Sequence, residues 1–262
     1  MSRMESYSRC PEAFRRSYIE GEKKPPAVAM IKGSAFHQGA ETNFSQKIES
    51  HTDLPAADII AAAAADFDAR SQNDLYLDED QRSRGKTVVV GEAMDSVVRM
   101  AEAHAVSQAP DYQPTFVEVR TEIELPSSSV NLVGVIDLVD DQRRVIDFKT
   151  AARKKSQADA DDSLQLTVYA AAYHALTGEP SAGQRLDCVV ETKKSVSRQA
   201  IDTTRTAADY RALAARITAI QAAIDAGNFP PTSSTNWWCS KRWCGYFEDC
   251  PFTEGRRGRQ ND

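Results

Sequence analysis

The chain has 262 residues, 41% of them hydrophobic and 27% charged, with a formal net charge of -6. That length and balance suit a globular protein of one large domain or two small ones, with ample core, and exclude a disordered chain. No run approaches the ~18 apolar residues of a membrane span, and the first thirty residues hold Arg3, Arg9, Arg15, Arg16, Lys23 and Lys24 without an apolar stretch, so the expected location is cytoplasmic, with no membrane partner.

Taken in chain order, residues 5–20 read as helical, with Pro11 in a first turn or as a break. A second helix covers 33–49, opened by Gly33-Ser34, and a third the alanine-rich 55–70, where Pro55 suits a first helical position. Residues 71–86 are polar and read as a mobile loop, and another helix follows over 87–108. Strands then take over. In 116–125, Val117, Val119, Ile123 and Leu125 alternate with Glu118, Arg120, Glu122 and Glu124. A turn at Pro126 leads into Val130–Val139, and Asp140-Asp141-Gln142-Arg143 makes a tight connection to Val145–Thr150, giving an antiparallel meander. A helix over 163–177 ends near Gly178, a strand covers 186–192, and a long helix over 207–226 stops at Gly227. The order implies one α/β domain over 1–251 with a small mixed sheet flanked by helices, followed by a basic, disordered tail over 252–262.

The strands carry the chemistry. Gly134-Val135-Ile136-Asp137 and Val145-Ile146-Asp147-Phe148-Lys149-Thr150 each lift a carboxylate out of an apolar run. Strand alternation puts Asp147 and Lys149 on one face and Phe148 on the other. Two aspartates ~4 Å apart repel by roughly 4 kcal/mol at an effective dielectric near 20, and a divalent cation reverses that sign. Mg²⁺ or Mn²⁺ prefers carboxylate oxygen, and a water bound to it can attack a phosphorus. His37, one of four histidines, is a further candidate ligand, suited to Mn²⁺ as neutral imidazole. Gln165 and Tyr169, four apart on a helix, share a face and could reach over such a site.

The cysteines form a second constellation. Cys239, Cys244 and Cys250 cluster near the C-terminus, Cys10 lies near the N-terminus, and Cys188 sits in an apolar strand as a buried thiol. Four thiolates can hold a structural zinc or an iron–sulfur cluster, stapling the chain ends, and Trp237, Trp238, Trp243, Tyr246 and Phe247 could shield it. Four basic clusters stand out: Arg15-Arg16, Arg153-Lys154-Lys155, Lys193-Lys194 with Arg198, and Arg256-Arg257 with Arg259. The second follows the Asp-Phe-Lys strand, where a phosphate backbone would pass.

In this order His37, Asp137, Asp147-x-Lys149, Gln165-x3-Tyr169 and the C-terminal cysteines resemble the RecB-like branch of the PD-(D/E)XK nucleases. Within it the chain is similar to the compact iron–sulfur exonucleases, which include CRISPR-associated adaptation nucleases and phage-encoded relatives. The resemblance implies a restriction-endonuclease-like core. It makes Asp137 and Asp147 acidic metal ligands, Lys149 the catalytic lysine, His37 the histidine that completes the metal shell, and Gln165 and Tyr169 the motif that follows. It makes Cys10, Cys239, Cys244 and Cys250 the ligands of a 4Fe–4S cluster. The family spacing between the first two C-terminal cysteines is x2, whereas here it is x4, which keeps zinc open as the alternative. Glu118 and Glu122 compete for a further acidic position, and neither is chosen.

The implied activity is metal-dependent hydrolysis of DNA, on single-stranded ends, in recombination, repair or phage DNA processing. Two alternatives stand beside it: a CRISPR-adaptation-type nuclease acting with partner proteins, and a non-catalytic DNA-binding module.

Overall fold

A computed structural model describes residues 3–123 and 131–256. Their contacts divide them into two compact units, a division that the sequence reading of one domain does not draw. One unit gathers the chain segments up to Ala27, Asp74–Val89 and the chain from Ala214 on; the other holds Val28–Asn73 and Val90–Leu213.

The larger unit is built on a five-stranded sheet in the order β1-β2-β3-β4-β5: β1 (Pro114–Ile123), β2 (Leu132–Asp140), β3 (Arg144–Ala151), β4 (Gly183–Glu191) and β5 (Val196–Thr203). The first three strands form the expected antiparallel meander. The tight connection from β2 to β3 is held by Asp140, whose carboxylate accepts from the backbone N–H of Gln142 and Arg144. The turn at Pro126 lies outside the described residues. β3 and β4 run parallel and β5 returns antiparallel, so the sheet is mixed. This is the open α/β sheet of the restriction-endonuclease-like class.

One long helix backs the sheet. It spans Val28–Ser50, five residues earlier than expected, and buries Ile31, Ala35, Phe36, Gly39, Ala40, Asn43, Phe44 and Lys47 at helical spacing. Gly33 therefore lies inside the helix rather than at its start; Val28 and Ile31 already carry the apolar face upstream of it. Gly39 allows close approach of the next helix, Ala56–Ser71, because a Cβ there would stand 3.0 Å from the Ile59 carbonyl oxygen and the Ala63 methyl. A further long helix, Lys86–Ser107, adds Met100 to the same core. There Phe36, Phe44, Tyr112, Leu138, Ile146 and Phe148 pack together. The helix Leu164–Thr177 lies in the crossover from β3 to β4, and its Leu166 joins Leu186, Cys188, Val190 and Ile201 in a second cluster. It ends at Gly178 in the left-handed region, φ 77°. Cys188 is fully buried, and burial pushes its thiol up to about 11.

Under Phe148 lies a buried polar group. His104 stacks edge-on against Phe36, Phe44 and Phe148, and its Nδ1 is 2.9 Å from Gln108 Oε1. Its Nε2 is buried without a hydrogen-bond partner. Burial, outweighing Gln108 and Asp187, pushes His104 down from 6.5 to about 4. The unfolded chain therefore binds a proton below pH 6.5 that the folded one refuses, and stability is lost as pH falls through that window. A depression of that size is worth about 3 kcal/mol. His104→Gln is expected to flatten this acid limb relative to the parent, measured as the difference between urea midpoints at pH 7 and pH 4.5.

The smaller unit holds the helices Arg3–Arg9 and Pro11–Phe14, broken at Cys10, then a π-helical turn, Arg15–Ile19. Tyr7, Phe14 and Phe229 form its aromatic core, and Tyr7 donates to the Asn228 carbonyl at 2.6 Å. The segment expected to be a mobile loop instead carries the helix Glu79–Arg84, opened by a capping box of Asp78 and Gln81. The 3-10 turn Pro251–Arg256 occupies the start of the expected disordered tail, whose remainder, 257–262, lies outside the described residues. Among the described residues, no helix is long and apolar enough to cross a membrane.

Candidate active site and cysteine cavity

The sheet opens where the chemistry sits. The β2–β3 ladder pairs Leu138 with Ile146 and Val139 with Val145, and beyond it the strands part. There the Phe148 N–H donates to Asp137 Oδ2 at 2.9 Å in place of a ladder bond. Asp137 and Asp147 are both buried, at 8% and 1% exposure.

A chain of hydrogen bonds runs between these two carboxylates. The Lys149 ammonium donates to Asp147 Oδ1 at 2.9 Å and to Gln165 Oε1 at 2.8 Å. The Gln165 amide donates to the Tyr169 hydroxyl at 2.6 Å, and Tyr169 donates to Asp137 Oδ1 at 3.2 Å. Gln165 and Tyr169, one turn apart on their helix, thus bridge the lysine of one strand to the aspartate of its neighbour. Gly134 faces that helix, where a Cβ would make ordinary packing contact, 3.5 Å from Val168 and 4.0 Å from the Tyr169 ring.

On the other side of Asp137 stands His37, its Nδ1 3.7 Å from Asp137 Oδ2 and 3.8 Å from Glu118 Oε1. His37, Glu118 and Asp137 offer three ligand atoms within 4.8 Å of one another; Asp147 is not in that group. Glu118 is therefore a site residue that the sequence left undecided against Glu122. The register settles it: Val117 pairs with Leu138 and Val119 with Ile136, so Glu118 lies opposite Asp137, whereas Glu122 accepts from Asn131 at 2.7 Å. Glu118 takes φ 46°, a left-handed backbone that costs an L-residue roughly 1–2 kcal/mol. That signal is invisible in sequence.

The electrostatics are those of excess buried negative charge. Burial opposes protonation of His37, yet the nearby carboxylates of Glu118 and Asp137 outweigh it and raise its pKa. Burial raises Asp137, against His37 and Lys149. Burial also raises Asp147, with Lys149 opposing and Asp137 reinforcing. Burial first, then Asp137 and Asp147, keep the Tyr169 hydroxyl protonated and so a donor. Asp147 Oδ2 is buried with no hydrogen-bond partner. An orphaned carboxylate oxygen beside a His-Glu-Asp donor set fits a divalent cation.

In the smaller unit Cys10, Cys239, Cys244 and Cys250 line one cavity of about 270 Å³ with Glu12, Arg16, Tyr246 and Thr253. Burial pushes Cys244 up to about 11 and raises Cys250, so both resist ionisation as thiols. Tyr246 and the buried Phe247 belong to the packing: Tyr246 donates to the Glu22 carbonyl at 2.6 Å. The tryptophans do not line the cavity, contrary to their expected shielding role, and Trp237 and Trp243 are exposed.

The basic clusters separate. Arg15 and Arg16 are engaged by Glu12, Glu20, Glu22 and Asp249, and Arg198 by Asp187 and Asp111. Arg153 and Lys154 remain exposed just past β3.

A family model for the PD-(D/E)XK nuclease superfamily matches residues 1–252. No curated protein sequence matches. Among solved structures, the protein SSO0001 is 14% identical, with a TM-score of 0.39, covering 82% of this chain and 96% of its own. A Eubacterium rectale protein described as "Putative exonuclease" is 13% identical, with a TM-score of 0.42, covering 95% and 94%.

Proposed function

We propose, from the premise that this chain belongs to the PD-(D/E)XK nuclease superfamily, that it is a metal-dependent DNA exonuclease acting on single-stranded ends. The observation that carries the hydrolytic part is the hydrogen-bonded chain Asp147–Lys149–Gln165–Tyr169–Asp137, which ends at the His37–Glu118–Asp137 donor set. His37, Glu118, Asp137 and Asp147 would hold Mg²⁺ or Mn²⁺. The ion, when bound, polarises a phosphodiester oxygen and acidifies a water.

The protein supplies the rest. Tyr169 fixes one oxygen of Asp137 and the Phe148 N–H fixes the other, so this carboxylate is held before substrate arrives. Gln165 and Asp147 hold the Lys149 ammonium, whose side chain is 37% exposed and so can meet a phosphate. Its charge offsets that developing on the phosphorane oxygens. The preference for single-stranded DNA and for ends follows from the resemblance to iron–sulfur exonucleases.

The same resemblance assigns the cysteine cavity to a 4Fe–4S cluster. A cavity that all four cysteines line could hold a zinc ion or a cluster, and the resemblance is what favours the cluster. On this reading residues 1–251 work as one nuclease module whose N- and C-terminal segments join at the cysteines.

The test is anaerobic purification with iron and sulfide assay, then end-labelled single-stranded DNA with Mg²⁺ or Mn²⁺. A brown protein that shortens the strand from its ends, only with metal, is expected. Wild-type turnover by Asp147→Ala would sink the catalytic assignment, and a colourless zinc protein with full activity would remove the cluster alone.

A further inference from the structure

The smaller unit presents a surface that the site chemistry does not use. Trp237 is 65% exposed and Trp243 46% exposed, an unusual position for two of the largest apolar side chains. They are not scattered. Trp238 and Trp243 lie nearly parallel, 21° apart with centroids at 6.2 Å. Trp237 stands edge-on to both, at 5.4 and 5.5 Å. Cations interleave with the rings: the Arg9 guanidinium lies 4.0 Å over Trp238 and that of Arg242 5.1 Å over Trp243. Lys241, beside Arg242, is also exposed.

A purely apolar partner would be poorly matched by guanidinium groups on the ring faces. A strand of unpaired bases is well matched. Each base has a π-face for an exposed indole, and each phosphate an anion for Arg9 or Arg242, with Lys241 paired to Glu248 at the margin.

We infer that Trp237, Trp238 and Trp243, with Arg9 and Arg242, form a stacking platform for unpaired bases of a nucleic-acid strand. The choice of nucleic acid rests on the nuclease reading; the platform itself rests on ring exposure and interleaved charge. Trp237 and Trp243 offer the exposed ring surface, with Arg242 over Trp243 for a base to displace, while Trp238 is half-buried under Arg9. Recognition of this kind is tolerant of sequence and demands unstacked bases, so paired duplex is a poor ligand.

The test uses the full protein purified anaerobically, with no Mg²⁺ or Mn²⁺ added and no chelator that could strip the cysteine site, so that binding is read without cleavage. A labelled dodecamer of thymidine is compared with an abasic strand of equal length. The thymidine strand is expected to quench tryptophan emission and to bind more tightly, the abasic strand to do neither. Trp237→Ala with Trp243→Ala should weaken thymidine binding about tenfold or more and leave abasic binding unchanged. Equal affinity of the parent for both strands, or an undiminished base preference in the variant, would overturn the platform. Should that variant fail to fold, the parent's quenching decides alone. Lys149-dependent cleavage without base preference removes the platform and keeps the nuclease. Base preference without cleavage under any metal removes the nuclease and keeps the platform.

Discussion

Lys149→Ala is expected to lower kcat for DNA cleavage by about a hundredfold to a thousandfold, the range seen when one preorganised charge-stabilising donor is removed from a site. The ammonium is held by Asp147 and Gln165, at 2.9 and 2.8 Å, so little reorganisation is needed when charge develops. The loss should appear in kcat with KM little changed, because the interaction strengthens as the phosphate gains charge. Lys149→Arg should not restore the rate. A planar guanidinium cannot occupy the point between two acceptors that a compact ammonium fills. Gln165→Ala should cost less, near tenfold, since Asp147 still holds the lysine. Single-turnover kinetics on end-labelled DNA measures all three. An unchanged kcat in Lys149→Ala would remove the lysine from the mechanism.

The motif strands were legible because each of their residues obeys a local rule. Asp147 and Lys149 alternate with Ile146 and Phe148 as the pleat demands, and the buried face of β3 matches the apolar positions. Gln165 and Tyr169 were legible for the same reason at helical spacing. Glu118 was not, because its role depends on the register of β1 against β2, which alternation alone does not fix. β5 was missed because an edge strand reading Val-Ser-Arg-Gln-Ala-Ile-Asp-Thr carries little apolar alternation. The short helix Glu79–Arg84 carried its capping signal, Asp78 with Gln81, but its polar composition outweighed it. The tryptophans misled the reading, since sequence proximity to cysteines does not say which way a ring points.

Arg198→Ala should destabilise the larger unit by about 3–5 kcal/mol, the cost of leaving a buried charge without its partner. Asp187 is fully buried in β4. Arg198 donates to it through Nε at 3.1 and 3.0 Å and through Nη2 at 2.6 Å. Gln108 donates to the same carboxylate at 2.8 Å and Tyr112 donates through its hydroxyl. Neither neighbour brings a compensating charge. Neutralising the carboxylate should therefore recover much of the loss, so Asp187→Asn in the Arg198→Ala background is expected to be more stable than Arg198→Ala alone. A denaturation series on the four proteins of that cycle measures the coupling.

The consequence reaches the active site through one residue. Asp187 is the register partner of Phe148, whose ring packs on His104 and Tyr112 and whose N–H holds Asp137. In Arg198→Ala, kept folded at low temperature, cleavage should fall less than tenfold, because every group at the metal site is still present. A loss as large as that of Lys149→Ala would mean that the buried network sets the position of Asp137, and that the polar layer under the sheet is part of the site.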